Sequence, residues 1–513
     1  MNNYLPVKHN KLILAAALML SLLAGCNKST GGLQDVETGR YYTTRQNGQP
    51  VFFLLDEIND DSWSGHFYMA DSDSTASRHE FSVSRKRRWH IITCEGTQTK
   101  AKPGHWSFKP YSEPEFKLQS TNLFREPCSS VSLTEDIVFG QVSGYWDSLP
   151  GVEADVMKGF TNGYVKSFKK RDIDLTLDLY RPEDTEDKRP LILFIHGGAF
   201  YVGDKQEPAY IDFCNYFASL GYVTASMNYR MGFHVGKGEI ERAGYVALQD
   251  AHAAMRFLVS HAEEYGIDVN ELYVAGSSAG SITALNLAFM REKDRPKSSF
   301  GAKGLFNGDD LGKIDASGND IKADFSIRAV ANMWGAVSSL DILKNSRTDI
   351  ISFHGELDEI VPYAEGYPFS SAGKMISQSL SDVMYGSARI DKMAKEEGLR
   401  SDFYSFPDKG HAFNTTGKDK TPNDSHLFIK DKIRTFFFQE MVPVNASIRN
   451  DGAGQFSLTG KVKDVTWKVE GGFFVSTGDS SARVIWRSGE KHKLTASGLY
   501  PNGSGFVTSY IEE

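Results

Sequence analysis

At 513 residues the chain exceeds what one ordinary hydrophobic core organises, and its length predicts about three domains. Its 40% hydrophobic and 24% charged residues describe a soluble globular protein, and a formal charge of −8 without a long basic run excludes nucleic acid as an expected partner. No pair among its four cysteines has zinc-site spacing. Neither a metal nor another cofactor is expected.

Lys8 and Lys11 stand ahead of an apolar run over 12–23, and the small residues Ala24 and Gly25 then lead into Cys26. This is the layout of a secretory signal, and the run is too short to span a bilayer comfortably. The string Leu23-Ala24-Gly25-Cys26 also resembles a bacterial lipobox. That resemblance implies acylation of Cys26 and an exported lipoprotein held at the outer membrane; a plain cleaved signal or an uncleaved anchor is the blander alternative. Residues 27–35 read as a polar tether. With Cys26 acylated, Cys94 and Cys128 are the candidates for a disulfide, leaving Cys214 as a buried thiol.

Over 36–130, apolar and aromatic alternations around Tyr41-Tyr42, residues 51–55 and His66-Phe67-Tyr68 are separated by turn residues, which predicts a small antiparallel β domain. From 147 to 441 strands alternate with helical stretches, predicting an α/β domain with a mostly parallel sheet and crossover helices. Residues 172–180 alternate as an edge or near-edge strand would. The runs 191–195 and 222–227 are continuously apolar, as in strands covered on both faces. Residues 272–275, 327–332, 350–354 and 403–406 supply four more strands. Helices are predicted over 210–220, ended by Gly221, and over 245–265, ended by Gly266. A closing helix over 424–440 repeats Leu427, Ile429, Ile433, Phe436 and Phe437 on a helical period. Beyond 442, strands at 465–469, 482–486, 493–497 and 505–511 predict a small β-sandwich over 442–513, which resembles the immunoglobulin-like modules appended to secreted bacterial enzymes.

Chemistry enters at Gly276-Ser277-Ser278-Ala279-Gly280, which follows the strand 272–275 and precedes a helix-forming stretch. A nucleophile elbow requires this context: a strained turn lifts the central hydroxyl above the sheet, and the glycines leave room for backbone. Ser278 is therefore the candidate nucleophile, while Ser277 points elsewhere. With 47 glycines in the chain the bare pattern is weak, and the strand-turn-helix setting gives it weight. A hydroxyl needs an imidazole to take its proton and a carboxylate to hold that imidazole in the useful tautomer. His411 lies after the last strand. Glu356, Asp358 and Glu359 lie in a loop after the strand 350–354, and His354, ahead of them, reads as a loop-shaping residue. The turn His196-Gly197-Gly198-Ala199-Phe200 offers backbone N–H donors for a developing oxyanion, or merely closes a strand-to-helix connection.

Several strings occur in one order: Leu177-Asp178-Leu179-Tyr180-Arg181-Pro182, the His196-Gly197-Gly198 turn, Asn228-Tyr229-Arg230, Gln249-Asp250-Ala251, the Ser278 elbow, His354-Gly355-Glu356-Leu357-Asp358, and Gly410-His411-Ala412-Phe413. Over about 172–441 the chain thereby resembles the esterase and lipase branch of the α/β-hydrolase superfamily, most closely its carboxylesterase-like and hormone-sensitive-lipase-like members. The resemblance implies that fold, a triad of Ser278, Asp358 and His411, and an oxyanion hole formed by the N–H groups of Gly198, Ala199 and Ala279. Many relatives carry a third glycine where this chain has Ala199, whose methyl narrows the site. The family route is hydrolysis through an acyl-enzyme. By analogy, an exported, anchored esterase with accessory β modules is expected to act on small or glycan-linked esters.

Two other functions remain open to the sequence. A prolyl-oligopeptidase-like peptidase shares fold and triad, but the segment before 147 is too short for its propeller. A non-catalytic surface glycan-binding protein would keep the fold and use its β domains for polysaccharide or protein recognition; an intact serine, acid and histidine set argues against it. The polar, glycine-dotted stretch 291–322 is no amphipathic lid, which disfavours a lipase acting on lipid droplets.

Overall fold

The continuously apolar runs form the centre of an eight-stranded sheet, as residues buried on both faces must. The computed structural model describes residues 36–46, 48–86, 89–101, 109–119, 122–147, 169–183, 188–234, 236–301, 309–417 and 420–512. The expected signal segment, Cys26 and the expected tether over 27–35 lie outside them. Among the described residues no helix is long and apolar enough to cross a membrane. The chain divides into two compact units, one from Asn122–Pro443 and one that joins residues up to Thr121 with Val444–Glu513.

The strands of the larger unit are β1 (Val131–Gly144), β2 (Arg171–Pro182), β3 (Arg189–Ile195), β4 (Val223–Met227), β5 (Ile267–Ser277), β6 (Ala329–Met333), β7 (Asp349–Gly355) and β8 (Ser401–Phe406). Their order in the sheet is β1-β2-β4-β3-β5-β6-β7-β8. Pairing is parallel from β4 through β8, and β2 runs antiparallel to both β1 and β4. This is the α/β-hydrolase arrangement. Connecting helices include α1 (Pro208–Ser219), α2 (Glu239–Ser260), α3 (Ala279–Phe289), α4 (Ser387–Glu396) and α5 (Asp424–Met441).

Alternation along β3 builds both layers. Leu191, Leu193 and Ile195 face the core shared with Leu248, Ala251 and Met255 of α2, whereas Ile192 and Phe194 face Phe213 and Phe217 of α1 and Ile433 and Phe437 of α5. Each such side chain contributes roughly 1.5–3 kcal/mol by leaving water, so the strand ends that carry the loops are rigidly placed. Gly221 ends α1 with φ +107° and Gly266 follows α2's short continuation with φ +68°, both left-handed as helix stops require.

The flanking segments do not fold apart from each other as expected. Strand Ser481–Arg487 pairs in parallel with Thr75–Lys86 through Trp486↔Thr75 and Arg487↔Ala76, so both segments share one eleven-stranded sheet. Strands Lys463–Glu470, His492–Leu499 and Gly505–Glu512 make a separate three-stranded sheet. Phe52 stacks on Phe473 at 4.3 Å between ring centroids, sealing the two segments together.

The disulfide expected between Cys94 and Cys128 is absent, and both are free thiols. Their partners explain it: Cys94 is buried in the core of the β unit with Phe81 and Ile92, whereas exposed Cys128 belongs to the larger unit and lies 3.9 Å from the Leu220 carbonyl. Cys214 is a free, fully buried thiol.

Candidate active site

Ser278 sits at the junction of β5 and α3 with φ +53° and ψ −123°, a backbone state that costs a non-glycine residue energy and survives only where the surroundings impose it. Two glycines permit the turn. A Cβ on Gly276 would run into Gly280, and one on Gly280 would strike the carbonyls of Ile195 and His196 at the end of β3. The Ser278 N–H donates to the Met333 carbonyl at 2.9 Å, tying the elbow to β6. Ser277 turns away, its hydroxyl 2.6 Å from the buried Tyr210 hydroxyl of α1.

The loops after β5, β7 and β8 bring three distant residues together. Ser278 Oγ is 2.8 Å from His411 Nε2, and His411 Nδ1 is 2.7 Å from Asp358 Oδ2. A carboxylate only accepts, so Nδ1 carries the imidazole proton and Nε2 is free to accept from the serine hydroxyl. The side chain of Asp358 is wholly buried and that of His411 is 17% exposed, leaving the ring reachable from outside. Asp358 Oδ1 accepts from the N–H groups of Ile360 (2.8 Å) and Val361 (2.9 Å). Burial pushes its carboxyl up, but hydrogen bonds from His354 and His411 outweigh burial and hold it well below the usual carboxylate range. Asp358 is therefore ionised at neutral pH. Glu356 and Glu359, the other acids of this loop, lie outside the arrangement; Glu356 accepts from Ser405 at 2.6 Å.

The turn after β3 packs directly against the nucleophile. A Cβ on Gly197 would lie 3.3 Å from Ser278 Cβ and 2.9 Å from the Ser277 carbonyl, so only glycine leaves this approach open. Gly198 takes φ +110° and Ala199 φ +55°, while the Gly198 carbonyl accepts from Tyr201 and Val202 at 3.0 Å each. Among the described residues the N–H groups of Gly198, Ala199 and Ala279 have no partner within the protein, and Ala279 begins α3, whose N-terminal end favours negative charge.

Several supporting residues carried no role in the sequence reading. The Tyr229 hydroxyl donates to the carbonyls of His196 (2.8 Å) and Gly197 (3.3 Å), clamping the turn, and the Tyr229 ring stacks on His196 at 4.4 Å. Burial pushes the His196 imidazole down, keeping it neutral. Arg230 grips fully buried Asp250 of α2 through its backbone N–H and guanidinium at 2.6–3.0 Å. Lys205 pairs with Asp178 of β2 and donates its N–H to Asn228 at 2.7 Å. The strings Asn228-Tyr229-Arg230 and Gln249-Asp250-Ala251 were the available signal, but partners across strands cannot be read from them. Among the described residues no cluster of histidine, cysteine or acid could hold a metal.

Residues 177–372 match the family model BD-FAE. Gut esterase 1 of Caenorhabditis elegans is 34% identical over 115 residues, covering 22% of this chain and 20% of that protein. The para-nitrobenzyl esterase of Bacillus subtilis (strain 168) is 29% identical over 136 residues, 26% of either chain. An isoprenylcysteine alpha-carbonyl methylesterase of Arabidopsis thaliana is 23% identical over 251 residues, 44% of this chain and 55% of that one. The chain thus spans between a fifth and about half the length of these curated relatives. Among solved structures, the esterase 2 of Thermogutta terrifontis phosphonylated by cyclosarin covers 52% of this chain and 89% of its own at 19% identity, with a TM-score of 0.37.

Proposed function

We propose that this member of the esterase and lipase branch of the α/β-hydrolase superfamily is a serine carboxylic-ester hydrolase working through an acyl-enzyme. The observation that carries the reading is the unbroken line from Ser278 Oγ through His411 to Asp358, at 2.8 and 2.7 Å. His411 Nε2 takes the hydroxyl proton as Ser278 Oγ bonds the ester carbonyl carbon. Negative charge develops on the carbonyl oxygen beside the N–H groups of Gly198, Ala199 and Ala279, donors that need no reorganisation. Collapse breaks the bond to the alcohol, which leaves with the proton from His411. Water, deprotonated by the same nitrogen, then attacks the acyl-enzyme, and the acid departs as Ser278 regains its proton. The ionised Asp358 stabilises the imidazolium formed in each half.

The substrates we propose are short-chain or carbohydrate-linked esters. Two features support such substrates: the Ala199 methyl beside the oxyanion donors narrows the site, and the described part of 291–328 holds only the short turns Glu292–Asp294 and Lys297–Phe300 in place of the amphipathic lid helix that action on lipid droplets would call for. The proposal extends to an exported, Cys26-acylated protein at the outer membrane. Its flanking β unit would meet polysaccharide or protein. The test is a panel of nitrophenyl esters of increasing acyl length, with acetylated and feruloylated oligosaccharides, on wild type and Ser278→Ala. Turnover of the short esters by wild type alone is expected. Cleavage of proline-containing dipeptides in place of esters, or glycan retention without any turnover, would refute the assignment.

A further inference from the structure

His354 is the penultimate residue of β7, four residues before Asp358, and its imidazole is fully buried. Its Nε2 lies 3.2 Å from Asp358 Oδ2, the same oxygen that accepts from His411, and 3.3 Å from the Val361 carbonyl. Both neighbours only accept, so Nε2 carries a proton. Its Nδ1 lies 2.7 Å from the Ser387 hydroxyl of α4. Ser387 Oγ in turn accepts from Asn332 Nδ2 of β6 at 3.0 Å, which leaves the Ser387 O–H free to donate to His354 Nδ1. The Asn332 amide is itself fixed: its Oδ1 accepts from the Gly335 N–H at 2.9 Å and from Ser281 Oγ at 2.6 Å, so Nδ2 must face Ser352 and Ser387. Ser281 belongs to the first turn of α3, three residues after the nucleophile. Ser281, Asn332, Ser352, Ser387 and His354 are all 0% exposed. A fully satisfied polar chain in such a place is rigid, because any broken link strands a buried polar group.

We propose that His354, held by Ser387 as the neutral Nε2–H tautomer, is a positioning residue for the acid. It donates a second hydrogen bond to Asp358 Oδ2 and couples the acid loop, through Asn332, to the helix that begins at the nucleophile. This goes beyond a loop-shaping role and rests on the esterase reading for its kinetic readout. Asp358 Oδ2 is exposed to two imidazoles, and only His411 continues to the serine. A donor on that oxygen draws charge from it and lowers its basicity towards His411. The titratable groups that meet His354 are Asp358 and the Tyr363 ring, edge-on at 5.7 Å; β6 and α4 present Asn332 and Ser387, which do not titrate.

The experiment compares His354→Leu, His354→Gln and Ser387→Ala in the full chain. It uses nitrophenyl acetate kinetics across pH and the downfield proton resonance of His411 Nδ1–H, which needs no turnover. Loss of the donor makes Asp358 more basic, so in His354→Leu the acid limb of kcat/KM moves to higher pH. Its kcat falls roughly 10- to 100-fold with little change in KM, since misplaced groups cost rate more than binding. The His411 Nδ1–H resonance moves with it. Glutamine, able to donate to Asp358 and accept from Ser387, restores the limb and the resonance, and Ser387→Ala falls between. If leucine prevents folding, the glutamine and alanine variants decide alone, a wild-type profile in Ser387→Ala overturning the proposal. A folded leucine variant with an unmoved limb and resonance, or a glutamine variant no better than leucine, also overturns it. Wild type without ester turnover whose resonance still responds to these substitutions would sink the esterase reading and leave the positioning role standing.

Discussion

The elbow depends on two missing methyls as much as on one hydroxyl. Because a Cβ at Gly280 would meet the backbone carbonyls of Ile195 and His196, no rotamer change can relieve it. Gly280→Ala is expected to lower stability by about 1–3 kcal/mol in urea unfolding and to reduce kcat, as overpacking against backbone does. Asp358 gives a pH prediction with a definite sign. Its folded pKa is depressed, so its contribution to stability is complete above the ordinary carboxylate value of about 4 and is lost as pH falls through the lower folded value. Unfolding free energies of wild type and Asp358→Asn should therefore converge as pH drops below about 4, and at neutral pH the variant should lose kcat on the order of 10⁴-fold. Divergence on acidification would mean that the carboxyl is not held ionised by its neighbours. At this scale the sequence displayed the serine, the histidine and the acids, since side-chain chemistry is written locally. It did not display the clamp of Tyr229 or the second imidazole on Asp358, because the clamp reaches carbonyls that follow another strand and the His354 tautomer is set by a hydroxyl from α4.

Elements that carry a strong apolar period were legible, and those that do not were missed. β3, β4 and β6 are buried throughout and read as strands at once. β1 is not legible in the sequence because it is a largely exposed edge strand with irregular register between Thr134 and Ile137 and between Val138 and Gly140, which breaks its apolar alternation. α4 is not legible because only Ser387, Ile390 and Ala394 are buried, with Met393 partly so, too thin a stripe among charged residues to signal a helix. α2 begins at Glu239, six residues before its expected start. Its anchor is the Arg230–Asp250 pair, which fixes the end of β4 to the helix. Asp250→Ala leaves the guanidinium largely buried and unpaired and should cost about 3–5 kcal/mol by chemical denaturation. Replacing both partners by apolar residues should recover much of that loss; an equal loss in single and double variants would contradict the buried-pair account.

At the scale of the whole molecule, length and patterning gave the presence of β segments before and after the α/β unit. They could not give the sheet those segments share, since the pairing of Trp486 with Thr75 joins residues some four hundred positions apart and no local pattern encodes it. Phe473→Ala should therefore destabilise the β unit by about 3–5 kcal/mol while leaving ester turnover within about twofold, which hydrogen exchange over 41–101 and a nitrophenyl assay on one sample would reveal. Loss of catalysis in step with the β unit would contradict two separately stable units. Acyl-enzyme hydrolysis requires that the hydroxyl at the start of α3 become covalently acylated. Its most direct measurement is the intact mass of protein rapidly quenched in acid during nitrophenyl ester turnover, followed by peptide mapping. A single added acyl group on the peptide bearing Ser278, missing from Ser278→Ala, is the predicted result. Continued hydrolysis with no adduct, or an adduct on another residue, would contradict it.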